Sequence, residues 1–146
     1  MDWSRRTLLA ATMTGAVGAA GATPFPDKRW RRRLFLIFAP SAEHEGFKQM
    51  RAQTRTPKFG ARDLDLVEVT GGEVRVNRQP VTAPTADELR RAYKVARGTL
   101  AVRLVGKDGT VKLARAGAVP ITEVYELIDT MPMRQQEMRE RSMSEG

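Results

Sequence analysis

The chain has 146 residues and a formal net charge of +8, from 25 Lys and Arg against 17 Asp and Glu; that length fits one domain. With no Cys and a single His, it cannot carry disulfides, a thiolate nucleophile, Cys-ligated zinc, an iron–sulfur cluster, dithiol redox chemistry or a multi-His metal site. An apolar share of 41% beside 29% charged residues places it among folded domains, neither membrane-embedded nor disordered by composition.

Residues 1–22 (MDWSRRTLLAATMTGAVGAAGA) read as a cleavable export signal. Arg5 and Arg6 supply a positive start, residues 7–17 a short Leu/Ala/Thr/Val stretch, and Ala20 and Ala22 the small residues a signal peptidase reads. The stretch is too short and too weakly apolar for a membrane-spanning helix, which needs about 20 mostly apolar residues. The string SRRTLL resembles the twin-arginine export signal, although Leu8 and Ala10 stand where Phe and Lys are common. The general secretory route is the other reading. Either one implies a periplasmic or secreted protein with no transmembrane segment after cleavage and no nucleic-acid partner.

Residues 23–32 form a basic lead-in. Lys28, Arg29, Arg31, Arg32 and Arg33 surround Trp30, which reads either as a contact for an anionic envelope surface or as a solvated approach to the first strand with Trp30 folded onto the domain. The domain itself is expected over residues 33–142, with 143–146 as a disordered tail.

Residues 33–39 (RLFLIFA) are a continuous apolar run ended by Pro40, a strand buried on both faces. Ser41 is placed to cap a helix that carries Phe47 and Met50 to about Thr54. Residues 57–62 connect to a second strand, 64–70 (LDLVEVT), and Gly71-Gly72 turns it into a short partner, 73–77. Residues 79–84, with two prolines, read as a loop. Thr85 and Glu88 form a capping box for a helix that buries Leu89, Ala92, Tyr93 and Ala96 and stops at Gly98. Residues 99–105 and 110–114 make a hairpin around Gly106-Lys107-Asp108-Gly109. A last amphipathic helix over 121–131 buries Ile121, Val124, Tyr125 and Ile128, and Pro132 opens a continuation to about Ser142. The order β-α-β-(β)-α-β-β-α predicts an α/β fold, a thioredoxin-like mixed sheet flanked by helices with a C-terminal β-hairpin and helix.

Four strings, RLFLIFAPS (33–41), ARDLDLVEV (61–69), LVGKDGTVKL (104–113) and IDTMPMRQQEM (128–138), resemble domain-of-unknown-function family 4174 (DUF4174). That is a bacterial exported group related to modules in sushi-repeat and other vertebrate extracellular proteins. The resemblance implies a thioredoxin-like fold without an established activity. Redox-active members of that fold carry a Cys pair after the first strand and a cis-Pro before the third; here residues 40–46 (PSAEHEG) and 97–99 (RGT) occupy those places.

Three constellations remain. Glu43 and His44 follow the first strand, where acid–base work or a weak metal contact competes with a simpler role, an acidic helix start. Lys107 and Asp108 lie in a turn whose family recurrence hints at contact. Met131, Met133, Arg134 and Met138 crowd the last helix, where Met131, Gln135 and Met138 fall on one stripe suited to packing on the sheet or to an adaptable partner groove. Arg134 is expected in surface ion pairs. The leading expectation is a redox-inactive, non-catalytic binding or adaptor module, with no cofactor and no metal, whose partner is an unknown envelope protein. The alternatives are an enzyme using Glu43 and His44, and a binder of anionic envelope surface through residues 28–33.

Overall fold

The computed structural model describes residues 24–145; the expected export signal, with Arg5, Arg6, Ala20 and Ala22, lies outside them. A six-stranded mixed sheet runs in the order β4-β3-β2-β1-β5-β6. Its centre is the parallel pair β1 (Arg33–Ala39) and β2 (Leu64–Thr70), in register from Arg33 opposite Leu64 to Ala39 opposite Thr70. All fourteen residues of the pair are buried, as continuous apolar runs require when both faces are covered. β5 (Ala101–Val105) runs antiparallel along the other edge of β1, and β6 (Val111–Ala116) antiparallel to β5. β3 (Glu73–Val76) and β4 (Gln79–Val81) extend the β2 side.

Residues 79–81, expected as loop, are thus strand. Asn77 (φ 49°) and Arg78 (φ 70°) both take left-handed backbone, the two-residue turn whose twist suits a hairpin. Pro80 is tolerated because β4 is an edge strand.

The helices cover both faces. On one, Phe35, Ile37, Leu64 and Leu66 of the sheet meet Phe47 and Met50 of α1 (Glu45–Gln53), Phe59 of α2 (Pro57–Gly60) and Val124, Tyr125 and Ile128 of α4 (Ile121–Asp129). On the other, Leu34, Leu36, Phe38, Val67 and Val69 lie under Phe25 and under Leu89 and Tyr93 of α3 (Ala86–Tyr93). Each such side chain contributes about 1.5–3 kcal/mol through burial. Burial also pushes the Tyr93 phenol up to about 12.

Three helix ends differ from expectation. α1 is capped by His44 instead of Ser41: His44 Nδ1 accepts from Phe47 N at 3.4 Å, while Ser41 Oγ accepts from Glu43 N. α3 starts in the expected Thr85–Glu88 capping box but ends early, because Lys94 turns left-handed (φ 58°). Within the helix the buried face is Ala86, Leu89, Arg90 and Tyr93, which leaves Ala92 exposed, and Ala96, beyond the helix end, is exposed as well. α5 (Pro132–Glu145) carries on past Ser142 into the stretch expected as a tail. Among the described residues no helix is long and apolar enough to cross a membrane.

Candidate functional site

At the end of the sheet where β1 and β2 begin, the charged residues of four segments interlock. Arg33, the first residue of β1 and 1% exposed, donates to both Glu137 oxygens of α5 at 3.1 Å and to Arg62 O at 2.9 Å. Its Nε is buried with no acceptor among the described residues. Lys107 reaches across from the β5–β6 turn to Glu137 Oε2 at 2.6 Å and Asp63 Oδ2 at 2.8 Å. Arg134 of α5, buried, donates to Asp129 at 3.0 Å and Ala61 O at 3.1 Å. Arg62 holds the same Asp129 with two bonds, its guanidinium 4.4 Å from the Tyr125 ring centre. On the lead-in, Lys28 and Arg32 share Asp65 at 2.7 and 3.1 Å.

Local chemistry places Lys107. Asp108 accepts from Thr110 N, Thr110 Oγ1 and Lys112 Nζ, and Gly109 supplies the left-handed residue (φ 86°) that closes the turn. The turn is pinned in place by Trp30 N, which donates to Lys107 O.

The electrostatics follow from these contacts. Burial pushes the Glu137 carboxyl up, but hydrogen bonds and charge from Arg33 and Lys107 outweigh it and hold the group below the ordinary Glu value. Asp63 is held low against its burial by Lys107, with Arg32 and Arg33. Asp129 is held low against burial by Arg62 and Arg134, and Asp65 by Lys28, Asn77 and Arg32. All four are therefore carboxylates at neutral pH, and the network is a fixed, ionised scaffold.

Beside it opens a cavity of about 480 Å³. Arg33, Lys107, Asp108 and Lys112 form its charged wall; Trp30, Leu127, Met131, Pro132 and Met133 form its apolar one. Trp30 is 57% exposed and Met133 39%. Trp30 therefore does not fold onto the domain as expected. Its backbone is left-handed, with φ of 70°, and the Arg29 guanidinium lies 5.2 Å from the ring centre.

Residues 24–137 match the family described as domain of unknown function (DUF4174). The chain belongs to that family. It is 29% identical to the coiled-coil domain-containing protein 80 of Danio rerio over 75% of its own length and 15% of that protein. With the sushi repeat-containing protein SRPX it is 26% identical in Rattus norvegicus and 25% in Homo sapiens, over 94% of this chain and 31% of either relative. The chain thus spans less than a third of the relatives it matches.

Two of the family strings form the central strands β1 and β2, and the other two carry the residues that dock α5. Lys107, Arg134 and Glu137 of the DUF4174 domain clamp α5 to the sheet, and the expected surface pairing of Arg134 is instead a buried one. Of the expected Met stripe, Met131 is the member in contact with the core. Met131 precedes α5 and packs on the α4 side of the core, Met138 is half-buried and Met133 faces the cavity. Of the basic lead-in, Lys28, Arg32 and Arg33 are engaged inside the domain, leaving Arg29 and Arg31 at the surface.

Glu43 is exposed and His44 half-buried. His44 Nδ1 is engaged in the helix cap, accepting from Phe47 N. Among the described residues no three of His, Asp and Glu are arranged to hold a metal ion. Sequence reasoning missed Asp63, Arg62 and Asp129. The only available signal was that each stands at an element end beside a buried strand or helix, where an unpaired charge would be costly.

Proposed function

We propose that this domain is an exported, thioredoxin-like binding module without redox chemistry, and that it holds an envelope partner protein in the cavity between Trp30 and Met133. The single observation that carries the reading is the pairing of exposed Trp30 and Met133 over a wall locked by Arg33, Lys107 and Glu137. An aromatic ring and a flexible thioether are the side chains that anchor and adapt at interfaces. The strand order β2-β1-β5-β6, with β1 and β2 parallel and β5 antiparallel, supports the thioredoxin-like assignment. The cap bond of His44 speaks against the acid–base alternative.

The test is capture from envelope extract with the tagged full chain, alongside Trp30→Ser and Met133→Asp. A discrete protein retained at high salt by the unaltered chain and lost from both variants is the expected result. Retention of the same proteins by both variants sinks the reading. Export is tested separately by fractionating cells that express the full chain and an Arg5→Lys/Arg6→Lys double variant. Retention of the double variant in the cytoplasm identifies the twin-arginine route, and undiminished export identifies the general one.

A further inference from the structure

Around the end of α3, on the other face of the sheet, lies a second open cavity of about 500 Å³. Arg90, Arg91, Lys94 and Arg97 line it against one carboxylate, Asp87. That carboxylate is already taken: Arg97 Nη2 lies 2.8 Å from each of its oxygens. Arg90 is in a different position. It is 7% exposed, its nearest carboxylate oxygen is 3.8 Å away, and among the described residues its guanidinium donates no hydrogen bond. At 3.8 Å the contact with Asp87 is not one either. Arg90 also lines an adjoining recess of about 150 Å³ with Gly71, Gly72 and Thr85, so its side chain borders both spaces.

A guanidinium presents five donors. Those of Arg90 that face the cavity are open to water or to a bound anion. The carbonyls that end α3 would repel an anion, but Arg103 covers them, donating to Tyr93 O at 3.1 Å and Lys94 O at 3.3 Å. Three of the four cavity cations are Arg, whose planar fork matches a tetrahedral oxyanion two bonds at a time.

We infer that Arg90, Arg91, Lys94 and Arg97 form a subsite for a phosphate group, carried by a polar phosphate monoester or by a lipid headgroup. The volume lies within the range of small-ligand sites, roughly 300–1,000 Å³. Its lining is cationic, with only Val95 and Ala96 apolar, so the rest of the ligand is polar as well. The subsite stands apart from the Trp30–Met133 cavity, and either can fail without the other.

Glycerol 3-phosphate and inorganic phosphate are titrated into the full chain at physiological ionic strength, with amide shifts read by NMR. In parallel, phosphatidylcholine vesicles with and without phosphatidic acid are used for co-sedimentation. The same measurements are made on Arg90→Met and on the exposed Arg91→Gln, which spares the fold if the first variant does not. Shifts confined to residues 87–97, weakened about tenfold by Arg90→Met and several-fold by Arg91→Gln, are expected. Binding of the soluble phosphates alone identifies a free ester; phosphatidic-acid-dependent sedimentation alone, lost in the same variants, identifies a headgroup. No response of residues 87–97 to any probe, or undiminished affinity in both variants, overturns the inference.

Discussion

Lys107 illustrates how one side chain is made indispensable by position. It sits in a turn, where Lys is ordinarily solvated, yet it is 9% exposed and bridges Asp63 and Glu137 from two other segments. Removing one partner of a buried pair costs about 3–5 kcal/mol because the other charge is stranded. Asp63 is 37% exposed and regains water, so Lys107→Met is expected to cost less, about 2–3 kcal/mol in urea unfolding. Lys112→Met, only five residues along the chain, breaks a pair whose partner Asp108 is also 37% exposed, and its cost should stay below about 1 kcal/mol. Equal costs for the two would mean that the bridge carries no more than a surface contact.

At the scale of the element, α5 is the unusual one, since its only buried residue is Arg134. It is tied to the domain by charge, through Arg134 to Asp129 and Glu137 to Arg33 and Lys107, and its attachment should therefore depend on pH. A carboxylate held below its unfolded pKa contributes stability at every pH above the unfolded value and loses it as pH falls through the folded one. Glu137, Asp63 and Asp129 are all of that kind, starting from ordinary values of 4.5 and 3.8. Protection of the α5 amides, corrected for the intrinsic pH dependence of exchange, should be flat at neutral pH and fall once the pH drops below about 4.5, ahead of α4, whose buried face is apolar. Glu137→Gln should raise exchange in α5 at neutral pH and leave a shallower acid response. An α5 that stays as protected as α4 through the acid range would contradict charge docking.

This same element shows what was legible in the chain and what was not. The 3.6-residue spacing of Ile121, Val124, Tyr125 and Ile128 identifies the buried face of α4 because apolar burial leaves a periodic trace. Docking by ion pairs leaves none: Glu137 and Arg134 look like solvent residues until Arg33, Lys107 and Asp129 arrive from far along the chain. β1 and β2 were readable to the residue for the same reason that α4 was. β4 was hidden by Pro80, which an edge strand accepts and a central strand would not. The end of α3 was hidden by Lys94, a residue type with no preference for left-handed backbone.

The whole molecule is two cores sharing one wall. β1 sends Phe35 and Ile37 into the α1–α4 side and Leu36 and Phe38 into the α3 side, with all four at 0% exposure. No strand of the central pair can loosen on one face and stay packed on the other, so the domain should unfold as a unit. Leu36→Ala removes packing from the α3 side alone and is expected to cost about 2–5 kcal/mol. If the wall is shared, native-state hydrogen exchange in the variant will speed up by the same factor in the slowest amides of α3 and of α4. Were the loss confined to α3, the two layers would be separate cooperative units, and the phosphate subsite on α3 could open without disturbing the Trp30–Met133 cavity.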